Sequence, residues 1–203
     1  MGPSQMISGS FSKFLGKPKT LIIRFSERYV TKSIQQTSAS YKLAVFDTAE
    51  LLPHESLIDE QNKRSSATIG DVIGTFKDLK NLGIKIAICS SSTRDDTKRT
   101  ISYLGIEEMI DITKCAKDPS LLPKPHASNV DSICADTGVR PSNVVVVGNT
   151  PIDMKLGRNS KVGLTIGICP GGDCDLGADK TVDSITEVVP LLRRLGQVIE
   201  EKY

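Results

Sequence analysis

The sequence predicts an α/β protein of Rossmann-like type, a three-layer sandwich with a mostly parallel sheet between helices. Two observations carry this. From Tyr41 onward short apolar runs rich in β-formers alternate with helical patterns of period 3.6, and the run Val144–Val147 is apolar throughout. Strands covered on both faces must read that way. Capping residues also mark several helix starts.

In chain order the strand candidates are KLAVF at 42–46, IKIAIC at 84–89, MIDIT at 109–113, NVVVV at 143–147 and VGLTIGI at 162–168. Between the first two, Ile69, Val72, Ile73, Phe76, Leu79 and Leu82 recur on one helical face, and Gly83 ends the pattern. Ser92 is expected to cap a helix over Thr93–Leu104. Thr150-Pro151 reads as a cap followed by proline in the first turn, and Ser184-Ile-Thr-Glu187 as a capping box.

Residues 1–40 stand apart from the core domain, 41–203. They hold six Lys or Arg against the single Glu27, and place Met6, Ile7, Phe11, Phe14 and Leu15 on one helical face. A basic, amphipathic, acid-poor leader predicts a mitochondrial transit peptide, hence the matrix, with the cytoplasm otherwise; a disordered basic arm or an expression scar in MGPSQ is the plainer reading. With the formal net charge at +2, the remainder is mildly acidic, which argues against nucleic acid as partner. The five cysteines are odd in number and scattered, which fits a reducing compartment. The best apolar run, LII at 21–23, is cut off by Arg24, far short of the roughly 20 residues a membrane span needs.

Ligands of such folds sit beyond the carboxyl ends of the strands. There the sequence delivers Asp47, the hydroxyl of Ser90 with Ser91 beside it, Asp153 in GNTPID, and Lys124 in the loop before a helix. An oxygen nucleophile, a cation, O–H or N–H donors and metal-holding carboxylates are what phosphoryl transfer needs.

The motifs FDTAELL (46–52), IAICSSS (86–92), LPKPHASN (122–129) and VVVVGNTPIDMKLGRNS (144–160) resemble, in order and spacing, those of the haloacid dehalogenase superfamily of aspartate-nucleophile phosphohydrolases, over about Tyr41 to Leu192. The tail from Gly163 is similar to the branch holding phosphoglycolate phosphatases and phosphonoacetaldehyde hydrolases. The resemblance implies a HAD-like fold, with Asp47 as the nucleophile that forms an aspartyl-phosphate. Ser90 and Ser91 bind phosphoryl oxygens and Lys124 neutralises charge. Asp47, the Ala49 carbonyl, Asn149 and Asp153 hold Mg2+. The partner it implies is a phosphorylated small molecule or a phosphoprotein.

Three departures qualify it. The family's first motif is Asp-x-Asp-Gly-Thr; here Ala49, Glu50 and Leu51 replace its last three residues, so the acid/base carboxyl, worth about 10² to 10⁴ in rate, is missing. Phosphonoacetaldehyde hydrolases resemble this chain in that alanine. The fourth motif has Asn149 for an aspartate, which weakens a site for a hard cation. Only 43 residues separate Asp47 from Ser90, and just 53–66 are uncommitted. No substantial cap domain fits there, so the site is expected to be open, or covered by a second copy or a partner; loss of a cap-coding segment near Arg64-Ser65 is an equally simple account.

The plain alternatives are that Asp47 caps a turn, that Lys124 is a solvated loop lysine, that Ser90 caps its own loop and that Asp153 favours a helix start. His126 reads as a surface residue. His54, Glu55, Asp59 and Glu60 lie near the site in a segment that does not fix geometry. Cys169 and Cys174 lack the further ligands of a zinc site and read as a loop. Two functions remain: a weakened Mg2+-dependent phosphohydrolase acting through Asp47, or a catalytically inactive relative kept as a binding or regulatory module.

Overall fold

The computed structural model describes residues 23–25, 28–30, 41–49, 51 and 69–197. The chain divides into two compact units, Met1–Thr37 and Ser38–Tyr203. In the first, β1 (Ile23–Phe25) and β2 (Arg28–Val30) pair antiparallel, Ile23 opposite Val30; the sequence reading placed no strand there. The proposed transit-peptide face, Met6 to Leu15, lies outside the described residues.

The second unit runs β3 (Leu43–Phe46), α1 (Ile69–Asn81), β4 (Lys85–Ser90), α2 (Arg94–Leu104), β5 (Ile112–Cys115), α3 (Ser128–Thr137), β6 (Val144–Gly148), α4 (Pro151–Asn159), β7 (Leu164–Ile168), β8 (Lys180–Val182), α5 (Val188–Gln197). Its six strands are ordered β5-β4-β3-β6-β7-β8, every neighbouring pair parallel. The chain builds outward from β3 to β5, then returns to β3's other side with β6. That reversal opens the crevice between β3 and β6 at their carboxyl ends, where such sheets bind ligands.

Successive strand residues point to opposite faces. Ala44 and Phe46 of β3 join Val72, Phe76 and Leu79 of α1, Leu104 of α2 and Leu192 of α5 in one core. Leu43 and Val45 join Val130 and Ile133 of α3 and Leu156 of α4 in the other. Three layers result. Phe46 and Phe76 meet with ring centroids 4.9 Å apart, which seats α1 beneath the residue that precedes Asp47. On the other face α4 approaches β7 so closely that a Cβ on Gly157 would lie 2.4 Å from the Thr165 methyl; the helix can pack there only with glycine at that position.

Several local expectations need correction. β5 begins at Ile112, not Met109, because Glu107–Met109 turns as a 3-10 segment and Asp111 Oδ2 accepts from Ile86 N at 2.7 Å, pinning the strand's entry. Thr93, not Ser92, caps α2, accepting from Asp96 N. Ser184 accepts from Thr186 N while Glu187 reaches Asp183 N, so the reciprocal box expected there does not form and a 3-10 turn precedes α5. The edge strand β8 goes beyond the five expected. The loop that carries Cys169 and Cys174, read as such and not as a zinc site, is closed by a disulfide between them, while Cys89, Cys115 and Cys134 are buried thiols.

Candidate functional site

Four segments converge on the crevice. β3 ends one residue before Asp47, β4 ends at Ser90, the loop after β5 carries Lys124, and β6 ends at Gly148 with α4 starting three residues on. The Lys124 ammonium lies 3.4 Å from Asp47 Oδ2 and 3.0 Å from Asp153 Oδ1. Side-chain exposure is 5% for the lysine, 12% for Asp47 and 3% for Asp153, so one buried cation faces two carboxylates. Buried charges persist only when paired in this way.

Each member is held. Asp47 Oδ1 accepts from Thr48 N at 2.7 Å. Asp153 sits at the third position of α4 in a reciprocal capping box: its backbone N–H donates to Thr150 Oγ1, and its Oδ2 accepts from Thr150 N and, at 2.6 Å, from Thr150 Oγ1. The structural role weighed against the site role is thus filled by the same side chain, one oxygen for each. Gly148 is needed for this: a Cβ there would lie 2.4 Å from Asp153 Cβ and 2.7 Å from its Oδ2.

Burial alone would lower the pKa of Lys124, but neighbouring Cys89, Asp153 and Asp47, with the hydrogen bond to Asp153, outweigh it and hold the ammonium above the ordinary lysine range. Cys89, beneath the site, is pushed up to about 11, mainly by burial. It is a neutral thiol at pH 7.

Ser90 is buried, and its hydroxyl lies 2.7 Å from Thr48 Oγ1 and accepts from Ser92 N at 3.1 Å. Thr48 was missed by the sequence reading; its hydroxyl is also 3.4 Å from Asp47 Oδ1 and so links Asp47 to Ser90. Its place inside FDTAELL was the available signal. Ser91 and Ala49 are exposed at the rim. Leu51 is wholly buried in the core, which accounts for an apolar residue in place of the family's threonine. His126 is exposed and its Nδ1 accepts from Ser128 N, a helix-start role. His54, Glu55, Asp59, Glu60 and Glu50 lie outside the described residues, as does the 53–66 segment on which the capless reading turns.

Among the described residues no three His, Cys, Asp or Glu side chains cluster as a metal site. The all-oxygen set inferred for Mg2+ rests instead on two carboxylates, one amide and one carbonyl. The amide supplies the test of fit: Asn149 Oδ1 is buried without a hydrogen-bond partner among the described residues, whereas such atoms ordinarily have one. A hard cation coordinated by oxygens would satisfy it.

A family model described as haloacid dehalogenase-like hydrolase matches residues 3–166. A Clostridium perfringens protein named "Putative pyrophosphatase PpaX" is 33% identical over 90 residues, which span 44% of this chain and 42% of that relative. The chain thus matches less than half that relative's length. Among solved structures, a "putative beta-phosphoglucomutase" of Thermotoga maritima aligns at TM-score 0.62 and 14% identity, covering 75% of this chain and 99% of that one. A HAD-superfamily hydrolase of subfamily IA from Geobacter sulfurreducens aligns at 0.53 and 12%, covering 78% and 99%. At those identities the structures share the fold.

Proposed function

The chain belongs to the haloacid dehalogenase-like hydrolase family, and from that premise we propose that it is a phosphohydrolase, Mg2+-dependent and slowed by the loss of its acid/base carboxyl. The observation that carries this is the Lys124 ammonium between Asp47 and Asp153 at the strand ends, with the Ser90 hydroxyl tied to Asp47 through Thr48. Fixed charge and donors aimed at a phosphoryl group are the main source of rate in such reactions.

In this reading an Asp47 carboxylate oxygen forms a bond to phosphorus as the bond to the leaving oxygen breaks. Ser90 and the Ser91 and Ser92 turn hold the phosphoryl oxygens, and Lys124 balances their charge. Asp47, the Ala49 carbonyl, Asn149 and Asp153 would hold Mg2+, which when bound neutralises phosphoryl charge. Lys124 does not stand in for the missing acid, because its raised pKa keeps the proton on nitrogen. Nor does Cys89, a buried thiol whose pKa is pushed up to about 11. The leaving group therefore departs without a proton from the described residues, and the water that cleaves the aspartyl-phosphate meets no base among them. Good leaving groups are favoured, in keeping with the pyrophosphatase named among the relatives, and the phosphoenzyme accumulates.

Ala49 and Asn149 favour a second reading, a phosphate-binding module without turnover. Stopped-flow hydrolysis of p-nitrophenyl phosphate with Mg2+ decides between them. The phosphohydrolase reading expects a burst of about one nitrophenolate per chain, a phosphorylated protein by mass, neither in Asp47→Asn, and steady turnover about 10² to 10⁴ faster in Ala49→Asp. No burst and no turnover in wild type, with turnover gained by Ala49→Asp combined with Asn149→Asp, would establish the second.

A further inference from the structure

Beside the phosphoryl site opens a cavity of about 460 Å³ whose described lining joins Ser90, Ser91 and Lys124 to Lys117 and to the apolar Leu121, Leu122 and Pro123. Its volume falls within the roughly 300 to 1,000 Å³ of small-molecule pockets. Among the described lining residues there is no carboxylate. Lys124 is engaged by Asp47 and Asp153, whereas Lys117 makes no ion pair among the described residues. The cavity thus has a phosphoryl end, an apolar wall and one uncommitted cation.

The wall is preformed. Asp118 Oδ2 accepts from Cys115 N at 2.9 Å and pairs with Arg94 at 2.7 Å, and Ala116 N donates to Ser92 O. Buried Asn129 donates to the carbonyls of Leu122 and His126. Within this clamp Lys117 and Ser120 adopt φ of 70° and 67°, a left-handed conformation costly for residues other than glycine. Such conformers persist where the surroundings over-determine them, and they concentrate at ligand sites.

We propose that this cavity receives the leaving group of the substrate, and that Lys117 selects a small phosphate ester or anhydride whose leaving group carries a second negative charge. The inference rests on the phosphoryl-binding half of the function proposed above and is independent of turnover. Preformed donors limit the ordering cost of binding, and a lining that adds apolar residues and a second cation to the phosphoryl donors suits a leaving group with a short carbon or oxygen bridge and an anionic end. Recognition therefore comes from the core domain's own β5 to α3 loop.

The test uses probes that cannot be hydrolysed, titrated by calorimetry against the full chain with Mg2+ present: inorganic phosphate, propylphosphonate and 3-phosphonopropionate, the last two alike in length but differing in a terminal carboxylate. Wild type is expected to bind 3-phosphonopropionate about three- to fivefold more tightly than propylphosphonate, the upper part of the range for one solvent-accessible ion pair. Lys117→Met should bring the two within twofold, Lys117→Arg should keep the preference, and phosphate affinity should be unchanged in both, which also shows the loop intact. Equal binding of the two phosphonates by wild type, or a preference that survives in Lys117→Met, overturns this inference and leaves the phosphohydrolase reading standing. Failure of wild type to bind even phosphate overturns both, whereas phosphate binding and the carboxylate preference without turnover would support this inference and overturn only the catalytic one.

Discussion

At the scale of single residues, the site is governed by one ammonium. Lys124 is the cation between two carboxylates whose side chains are 12% and 3% exposed, so removing it leaves two like charges buried together. Lys124→Met is expected to destabilise the fold by about 3 to 5 kcal/mol at pH 7, the usual cost of orphaning a buried charge, read from urea unfolding midpoints at unchanged slope; a loss below about 1 kcal/mol would show that the carboxylates find water instead. The sign with pH follows from the raised lysine pKa: stability from this group is present below the unfolded lysine value of about 10.4 and lost as pH rises through the folded value. Between pH 7 and 9 wild-type stability should therefore hold steady on this account. Asp47 and Ser90 were legible in the sequence as polar groups at the carboxyl ends of β3 and β4, and Lys124 and Asp153 as charged groups in the segments that follow β5 and β6. Thr48 was not, since a threonine beside a strand tip looks the same whether or not its hydroxyl meets a serine 42 residues away. The orphaned oxygen of Asn149 was also beyond reach, being a property of what surrounds the residue.

At the scale of elements, α4 joins fold and site. Its first turn is closed by Thr150 and Asp153 reciprocally, and the oxygen of Asp153 not used in that box faces Lys124. Thr150→Ala removes the cap, and the expected loss is about 1 kcal/mol of stability. Because the same change removes the 2.6 Å hydroxyl bond to Asp153 Oδ2 and leaves it only the backbone N–H, phosphate affinity with Mg2+ should fall alongside; a stability loss with unaltered affinity would show that the backbone N–H and Lys124 suffice to position the carboxylate. The layered sheet was readable because strands covered on both faces must be apolar throughout, as β6 is. Where the reading slipped, the physical signal was weak or shared. Ser92 and Thr93 are adjacent hydroxyls, either able to cap, and geometry chose Thr93. β8 is a three-residue edge strand with a single buried side chain, Val182, too short for any period to show. β5 carries no fully buried residue before Cys115, so its apolar run misplaced its start.

At the scale of the whole molecule, the site draws Asp47, Lys124 and Asp153 from segments 77 and 29 residues apart, all fixed to one sheet at its switch point. A ligand that binds all three binds only the folded chain, and its binding energy therefore adds to the stability of the entire second unit. At about a hundredfold excess over the dissociation constant the gain is about 2.7 kcal/mol. For a chain of 203 residues about 1 kcal/mol moves the midpoint by roughly 2 to 4 °C, so Mg2+ with phosphate should raise Tm by about 5 to 10 °C over the protein in EDTA. Asn149→Asp adds an anionic oxygen beside the two carboxylates, which lowers stability without metal through like-charge repulsion and strengthens coordination with it. The variant should therefore start from a lower Tm in EDTA and reach its full shift at a lower Mg2+ concentration than wild type, whereas Asp153→Asn should lose most of the shift. Differential scanning fluorimetry across a Mg2+ series at fixed phosphate distinguishes these outcomes. Equal midpoints in EDTA and in Mg2+ for wild type and Asn149→Asp alike would mean that the strand ends hold no metal, and that Lys124 is the only cation this site uses.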